Sequence, residues 1–162
     1  MTKIGVLGTG DVGKAIASKL VSLGHEVRLG SRADGNEASE RWAADHPEGA
    51  SVGTFADAAG FGEMVFLATN GLHTFSVAKG IVEEVGRKIL VDVTNPLDFS
   101  QGFPPALTVC NKDSLAEQIQ RALPDARVIK TLNTVHNSLM IAPRRISGDH
   151  QIFVSGDDAA AK

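Results

Sequence analysis

Short, continuously apolar runs recur along this chain, and between them apolar residues fall at helical spacing. Residues 4–7 form the first run, too short for a helix, and predict a buried strand. The period then changes. Val12, Ile16, Leu20 and Leu23 make an apolar stripe that Gly24 ends, which predicts a helix. Residues 25–30 carry Val27 and Leu29 on one face of a second strand. Asn36 caps a helix running through Trp42 to about residue 45, with Pro47 and Gly49 beyond it. Residues 51–54 are a short strand, Thr54 caps a brief helix over 55–59, and residues 64–68 are a buried strand. A long helix is expected next, with Phe75, Ala78, Val82 and Val85 on one face and Gly86 at its end. Residues 88–93 are another buried strand. The period lapses over 97–112. Ser114 with Glu117 predicts a capping box for a helix burying Leu115, Ile119 and Leu123. Strands follow over 127–132 and 151–155, and Asp157 is expected to cap a final helix.

Strand and helix therefore alternate, as they do when a parallel sheet is covered on both faces. The expectation is one α/β domain over 1–162, a Rossmann-type doubly wound, mainly parallel sheet. Its first turn reads Gly8-Thr9-Gly10-Asp11-Val12-Gly13, between a strand and a helix. Gly8 permits the tight turn, Gly10 lets a pyrophosphate approach the backbone, and Gly13 lets helix pack on strand. The helix N-terminus adds unpaired N–H groups and a positive dipole end. In such sheets ligands sit beyond the carboxyl ends of the strands. That rim holds Ala68, Thr69 and Asn70, then Thr94, Asn95 and Pro96, then Asn133, Thr134, Val135 and His136. Their amides and hydroxyls are candidates for ribose and nicotinamide, although each alone is also an ordinary turn. The second strand ends in Gly30-Ser31-Arg32, where an NAD site would place a carboxylate. A hydroxyl and a guanidinium suit the 2′-phosphate of NADP(H) instead; the plain alternative is a solvated loop.

Composition narrows the classes. The 162 residues are 43% hydrophobic and 22% charged, with net charge −3, ordinary for a globular domain. The charge gives no pull toward nucleic acid or an anionic membrane, so neither is expected as a partner. No run is long enough to span a bilayer, and a cytoplasmic location is expected. Cys110 is the single cysteine and is expected to be a small buried hydrophobe. The five His residues are scattered, without the ligand spacing of a metal site. Hydride chemistry, which resides in the cofactor, remains. No catalytic residue is assigned. The loop carrying Phe99 and Phe103 is either a lid or acceptor wall, or is pinned to the surface by those rings; an acceptor cavity lined by Phe99, Phe103 and Asn133 would favour an enzyme. The alternative is an NADP-binding, redox-sensing module without turnover.

The segments GTGDVGKAIASKL, VRLGSR, DVTNPLDF, KTLNTV and FVSGDDAAAK, in this order, resemble the NADP oxidoreductase family that works with the deazaflavin coenzyme F(420). The resemblance covers essentially the whole chain. It implies that Gly8-Thr9-Gly10 is the pyrophosphate turn and Ser31-Arg32 the 2′-phosphate clamp. It also implies that the deazaflavin docks near Leu132-Asn133-Thr134-Val135. Family members that reduce the deazaflavin can carry His at the position of Asn133. With Asn there, the small-molecule hydride acceptor stays open among a flavin, a deazaflavin and another small oxidant. The resemblance further implies a helical tail after residue 162 that helps close the site and forms a homodimer.

Overall fold

Four of the five residues of β1 (Lys3–Leu7) are buried, because this strand lies in the middle of the sheet and is covered on both faces. The computed structural model describes all 162 residues, Met1–Lys162. From β1 the chain runs through α1 (Asp11–Ser22), β2 (Glu26–Ser31), α2 (Glu37–Ala44), β3 (Ala50–Thr54), α3 (Phe55–Phe61) and β4 (Met64–Leu67). It continues through α4 (Gly71–Lys79), α5 (Val82–Val85), β5 (Ile89–Asp92), β6 (Leu97–Asp98) and β7 (Ala106–Leu107). Then come α6 (Leu115–Ala122), β8 (Arg127–Thr131), α7 (Asn137–Met140), a 3-10 turn (Pro143–Arg145) and β9 (Val154–Ser155). The main sheet has the order β3-β2-β1-β4-β5-β8-β9. All its pairings are parallel except β8 with β9. This is the expected doubly wound α/β fold. Strand order reverses between β1 and β4, which opens a crevice at their carboxyl ends. No helix is long and apolar enough to cross a membrane.

Alternation along the strands divides the core between the two faces. Leu7, Val65, Leu67, Leu90 and Val128 pack with the α3–α6 layer through Ala58, Ala78, Ile81, Val85 and Ile119. Ile4, Val6, Val27, Leu29 and Val91 pack with α1 and α2 through Ile16, Ala17 and Trp42. Trp42 also donates its indole N–H to Ser18 Oγ at 2.9 Å, so its polar atom is satisfied in the core. Gly5 lies where α3 crosses β1. A Cβ there would stand 2.1 Å from the Ala58 carbonyl oxygen.

Several expectations need correction. The long helix after Asn70 is broken at Gly80, and the buried face is Thr74, Ala78, Ile81 and Val85. Phe75 and Val82 are exposed. Leu23 leaves the α1 stripe and is exposed, because the helix has ended one residue earlier. The aperiodic stretch from Leu97 holds a small antiparallel hairpin, β6 with β7, and Cys110 beyond it is exposed. Ser114 accepts the Glu117 amide, but its own amide goes to Asp113, so only half of that capping box forms. The last strand covers only Val154–Ser155. Past it there is a turn in which Asp158, not Asp157, accepts the Ala160 and Ala161 amides.

A complete capping box does form at Thr54. Asp57 Oδ2 accepts the Thr54 amide at 2.9 Å and its hydroxyl at 2.6 Å. The Thr54 hydroxyl, then its amide, hold the Asp57 carboxyl below its ordinary range. A depressed folded value contributes stability above the unfolded pKa, and that contribution is lost as pH falls through the folded value. Asp57→Asn should lower the melting temperature at neutral pH. Its gap from wild type should close as pH drops below about 3.9, as parallel melting curves across pH would record. Gly5→Ala should cost about 2 kcal/mol or more from overpacking, measured by denaturant unfolding.

Candidate functional site

Three loops nest at the crevice with backbone against backbone. Gly8 has φ +124, and a Cβ on it would stand 2.4 Å from the Ala68 carbonyl oxygen. A Cβ on Gly13 would lie 1.9 Å from the Gly8 carbonyl oxygen, and one on Gly71 would lie 1.8 Å from that of Asn95. These glycines are required by the chain's own packing. Gly10 is not: its φ is −76 and a Cβ there would meet nothing within 4 Å. Its missing side chain matters only toward something outside the chain. Gly10 is also the N-cap of α1 and makes no side-chain cap, so the first amides of the helix remain available to an anion.

Two cavities meet here. One, of about 390 Å³, is lined by Gly8, Thr9 and Gly10 with Ser31, Arg32, Asn36, Phe55 and His73. The other, of about 450 Å³, is lined by Asp11, Val12, Thr94, Asn95, Phe99, Asn133, His136 and Met140, among others. Ala68, Thr69 and Asn70 line both, so the two form one trough. The predicted residues are therefore brought together, with two exceptions. Gly13 is buried beneath the turn, and Pro96 stands behind Gly71 with its carbonyl taken by the Thr108 amide. Phe99 joins the wall. Phe103 does not: it is 89% exposed and lines neither cavity. Asn36, Phe55 and His73 were not foreseen as lining residues. Asn36 was legible only as a cap, and the other two reach the trough from helices, where sequence spacing carries no sign of a ligand.

The polar groups are already oriented. Ser31 is 3% exposed and its hydroxyl donates to the Ala33 carbonyl, so its hydrogen is committed to shaping the loop. Arg32 is exposed and makes no ion pair, leaving its guanidinium as the free cation of that loop. Thr74 gives its hydrogen to the Asn70 carbonyl, so in the 2.8 Å contact between hydroxyls Thr69 is the donor. At the far end Leu132 has φ +60, uncommon for a leucine, and this bend carries the chain from β8 into Asn133. Asn95 Nδ2 donates to the Asn133 carbonyl at 2.7 Å, and Asn133 Nδ2 returns a bond to Asn95 Oδ1 at 3.2 Å. The loops after β5 and β8 are thus tied across the floor of the second cavity.

A family model for coenzyme F420-dependent NADP oxidoreductases matches residues 3–96. The chain belongs to this family. Within it, the F420-dependent NADP reductase of Methanocaldococcus jannaschii is 31% identical over 172 residues, covering 99% of this chain and 75% of that protein. A crystal structure from Arthrobacter sp. FB24, of a protein provisionally designated an F420-dependent NADP-reductase, superposes with a TM-score of 0.92 at 47% identity. The match covers 99% of this chain and 76% of that one. Metalloreductase STEAP3 of Rattus norvegicus is 30% identical over 161 residues; the chain spans 99% of itself but only 30% of that relative's length.

The contrast between the glycines of this oxidoreductase-family turn is testable. Gly10→Ala should change stability by no more than about 1 kcal/mol yet weaken NADPH binding at least about tenfold by filling the approach to the backbone. Gly13→Ala should instead lower the melting temperature markedly. Thermal melts alongside NADPH titrations would separate the two.

Proposed function

We propose that the trough binds NADPH along its length and passes a hydride from the nicotinamide to a flavin- or deazaflavin-class acceptor. The observation that carries this reading is the shared strip Ala68-Thr69-Asn70, which joins a cavity holding a free arginine to a cavity with an amide floor. The glycine turn stands beside it, with open space over Gly10. Arg32, with the loop amides after Ser31, takes the 2′-phosphate. Gly8, Thr9 and Gly10 and the first amides of α1 take the pyrophosphate, where dipole and donors both favour an anion. Ala68, Thr69 and Asn70 flank the middle of the nucleotide. Asn95 and Asn133 frame the nicotinamide end, with Asp11 and Val12 on the α1 side. When bound, the nicotinamide supplies the hydride and its electron pair. The protein's task is to hold donor and acceptor at reacting distance and keep water out. Leu97, Phe99 and Met140 give the second cavity an apolar wall for that purpose.

The relative from M. jannaschii is named for F420 and NADP, while the STEAP3 relative is named for metal reduction. A discriminating screen therefore includes F420, FAD, FMN and a ferric chelate, with loss of nicotinamide absorbance as the signal. Turnover with a flavin or deazaflavin supports the reading. Tight NADPH binding with no turnover on any acceptor would point to a binding module.

Cofactor choice is tested separately. Hydrogen bonds to charged groups contribute about 1.5–3 kcal/mol each. Arg32→Ala should therefore weaken NADPH roughly ten- to a hundredfold and leave NADH almost unchanged. Added salt should reproduce part of the loss by screening. Calorimetric titration of both nucleotides decides it. Equal affinities in wild type, or equal losses in the variant, would reject the assignment of Arg32 to the phosphate.

A further inference from the structure

Two charged residues follow directly on the buried apolar runs of neighbouring strands, Asp92 after Leu90-Val91 in β5 and Lys130 after Val128-Ile129 in β8. Asp92 ends β5 with 0% exposure, and Lys130 is its register partner on β8. Lys130 Nζ lies 3.0 Å from Asp92 Oδ2, with the lysine side chain only 19% exposed. A buried ion pair is a poor source of stability, since desolvation offsets most of the attraction and an apolar pair of similar volume serves as well. Its partners suggest another role, because both residues converge on Thr94. Asp92 Oδ1 accepts the Thr94 amide at 2.9 Å and its hydroxyl at 2.7 Å. Lys130 donates to the Thr94 carbonyl. Every hydrogen that Thr94 can donate is thereby committed, and its hydroxyl oxygen keeps acceptor capacity alone. Thr94 lines the second cavity, directly before Asn95, which crosslinks the floor to Asn133.

We infer that Asp92 and Lys130 are positioning residues for the reactive end of the trough, holding Thr94 as a fixed acceptor for an amide N–H of the nucleotide's carboxamide. This rests on the NADPH reading above. The nicotinamide carboxamide is the one N–H donor at that end of the nucleotide, and a hydroxyl free to rotate would offer it a donor as often as an acceptor. The pair also keeps the floor electrically neutral. A lone aspartate would favour the cationic oxidised nicotinamide over the reduced form, and a lone lysine would oppose it.

The test uses two ligands: NADPH, and adenosine 2′,5′-bisphosphate, which carries the 2′-phosphate but no nicotinamide. Thr94→Val preserves shape and leaves the ion pair intact. It should weaken NADPH about tenfold, leave the bisphosphate unchanged, and be rescued by Thr94→Ser, which retains the hydroxyl. The charge-free double variant Asp92→Leu/Lys130→Met, which has no acceptor for the Thr94 hydrogens, should show the same selective loss, with melting curves recorded alongside. A merely structural role for these residues would weaken both ligands together. Unchanged NADPH affinity in Thr94→Val or in the double variant, or an equal loss for both ligands in either, overturns the inference while the NADPH reading stands. A wild-type protein that binds neither ligand overturns both.

Discussion

Close approach of backbone to backbone at the β1–β4 crevice is the constraint on which the rest of the structure depends. Gly8 lies against Ala68, Gly13 against Gly8, and Gly71 against Asn95, with no room for a side chain at any of these contacts. The loops after β1, β4 and β5 are consequently a single nested unit. The trough exists because that unit is thin: with the glycines giving up their side chains, the strip Ala68-Thr69-Asn70 can face both cavities at once. Gly10 shows the other half of the design. It belongs to the same turn but is needed by nothing inside the protein, and its open face is where a ligand can lie against the helix N-terminus.

Much of this was legible in the sequence where the cause is local. A continuous apolar run of four residues, a change to helical period and a glycine at each turning point are sufficient to place β1, the turn and α1. Capping by Asn36 and Thr54 is equally local, and both caps form. The readings that failed are those in which tertiary packing selects among equivalent patterns. Phe75 and Val82 have the spacing of a buried face, but Gly80 breaks the helix and rotates Ile81 inward instead. Phe103 and Cys110 sit beyond the sheet, where no layer covers them, so apolar character alone misplaced both.

The candidate site divides the same way. Its glycines and its Ser31-Arg32 segment announce themselves at strand ends. The Asp92–Lys130 pair does not, because 38 residues separate its members. They meet only once β5 and β8 lie side by side, a neighbourhood decided by strand order. The left-handed backbone at Leu132 is likewise invisible in composition. Leucine has no preference for that conformation, and the bend persists where Leu132 packs into the core while Asn133 is tied to Asn95. Polar residues at the carboxyl ends of neighbouring strands are thus better read as pairs across the sheet than as isolated turns.

The nesting of the loops also bears on kinetics. An enzyme that closes a lid over its ligand must repeatedly cross the barrier of that motion, and its apparent affinity is reduced by the fraction of time spent in the wrong state. Loops that meet backbone to backbone at Gly8, Gly13 and Gly71 have little room to slide past one another without shifting the strands that carry them. A nucleotide arriving at this trough would meet a surface already in its binding form. Its association would then be governed by encounter and orientation, and residence time alone would distinguish a good ligand from a poor one.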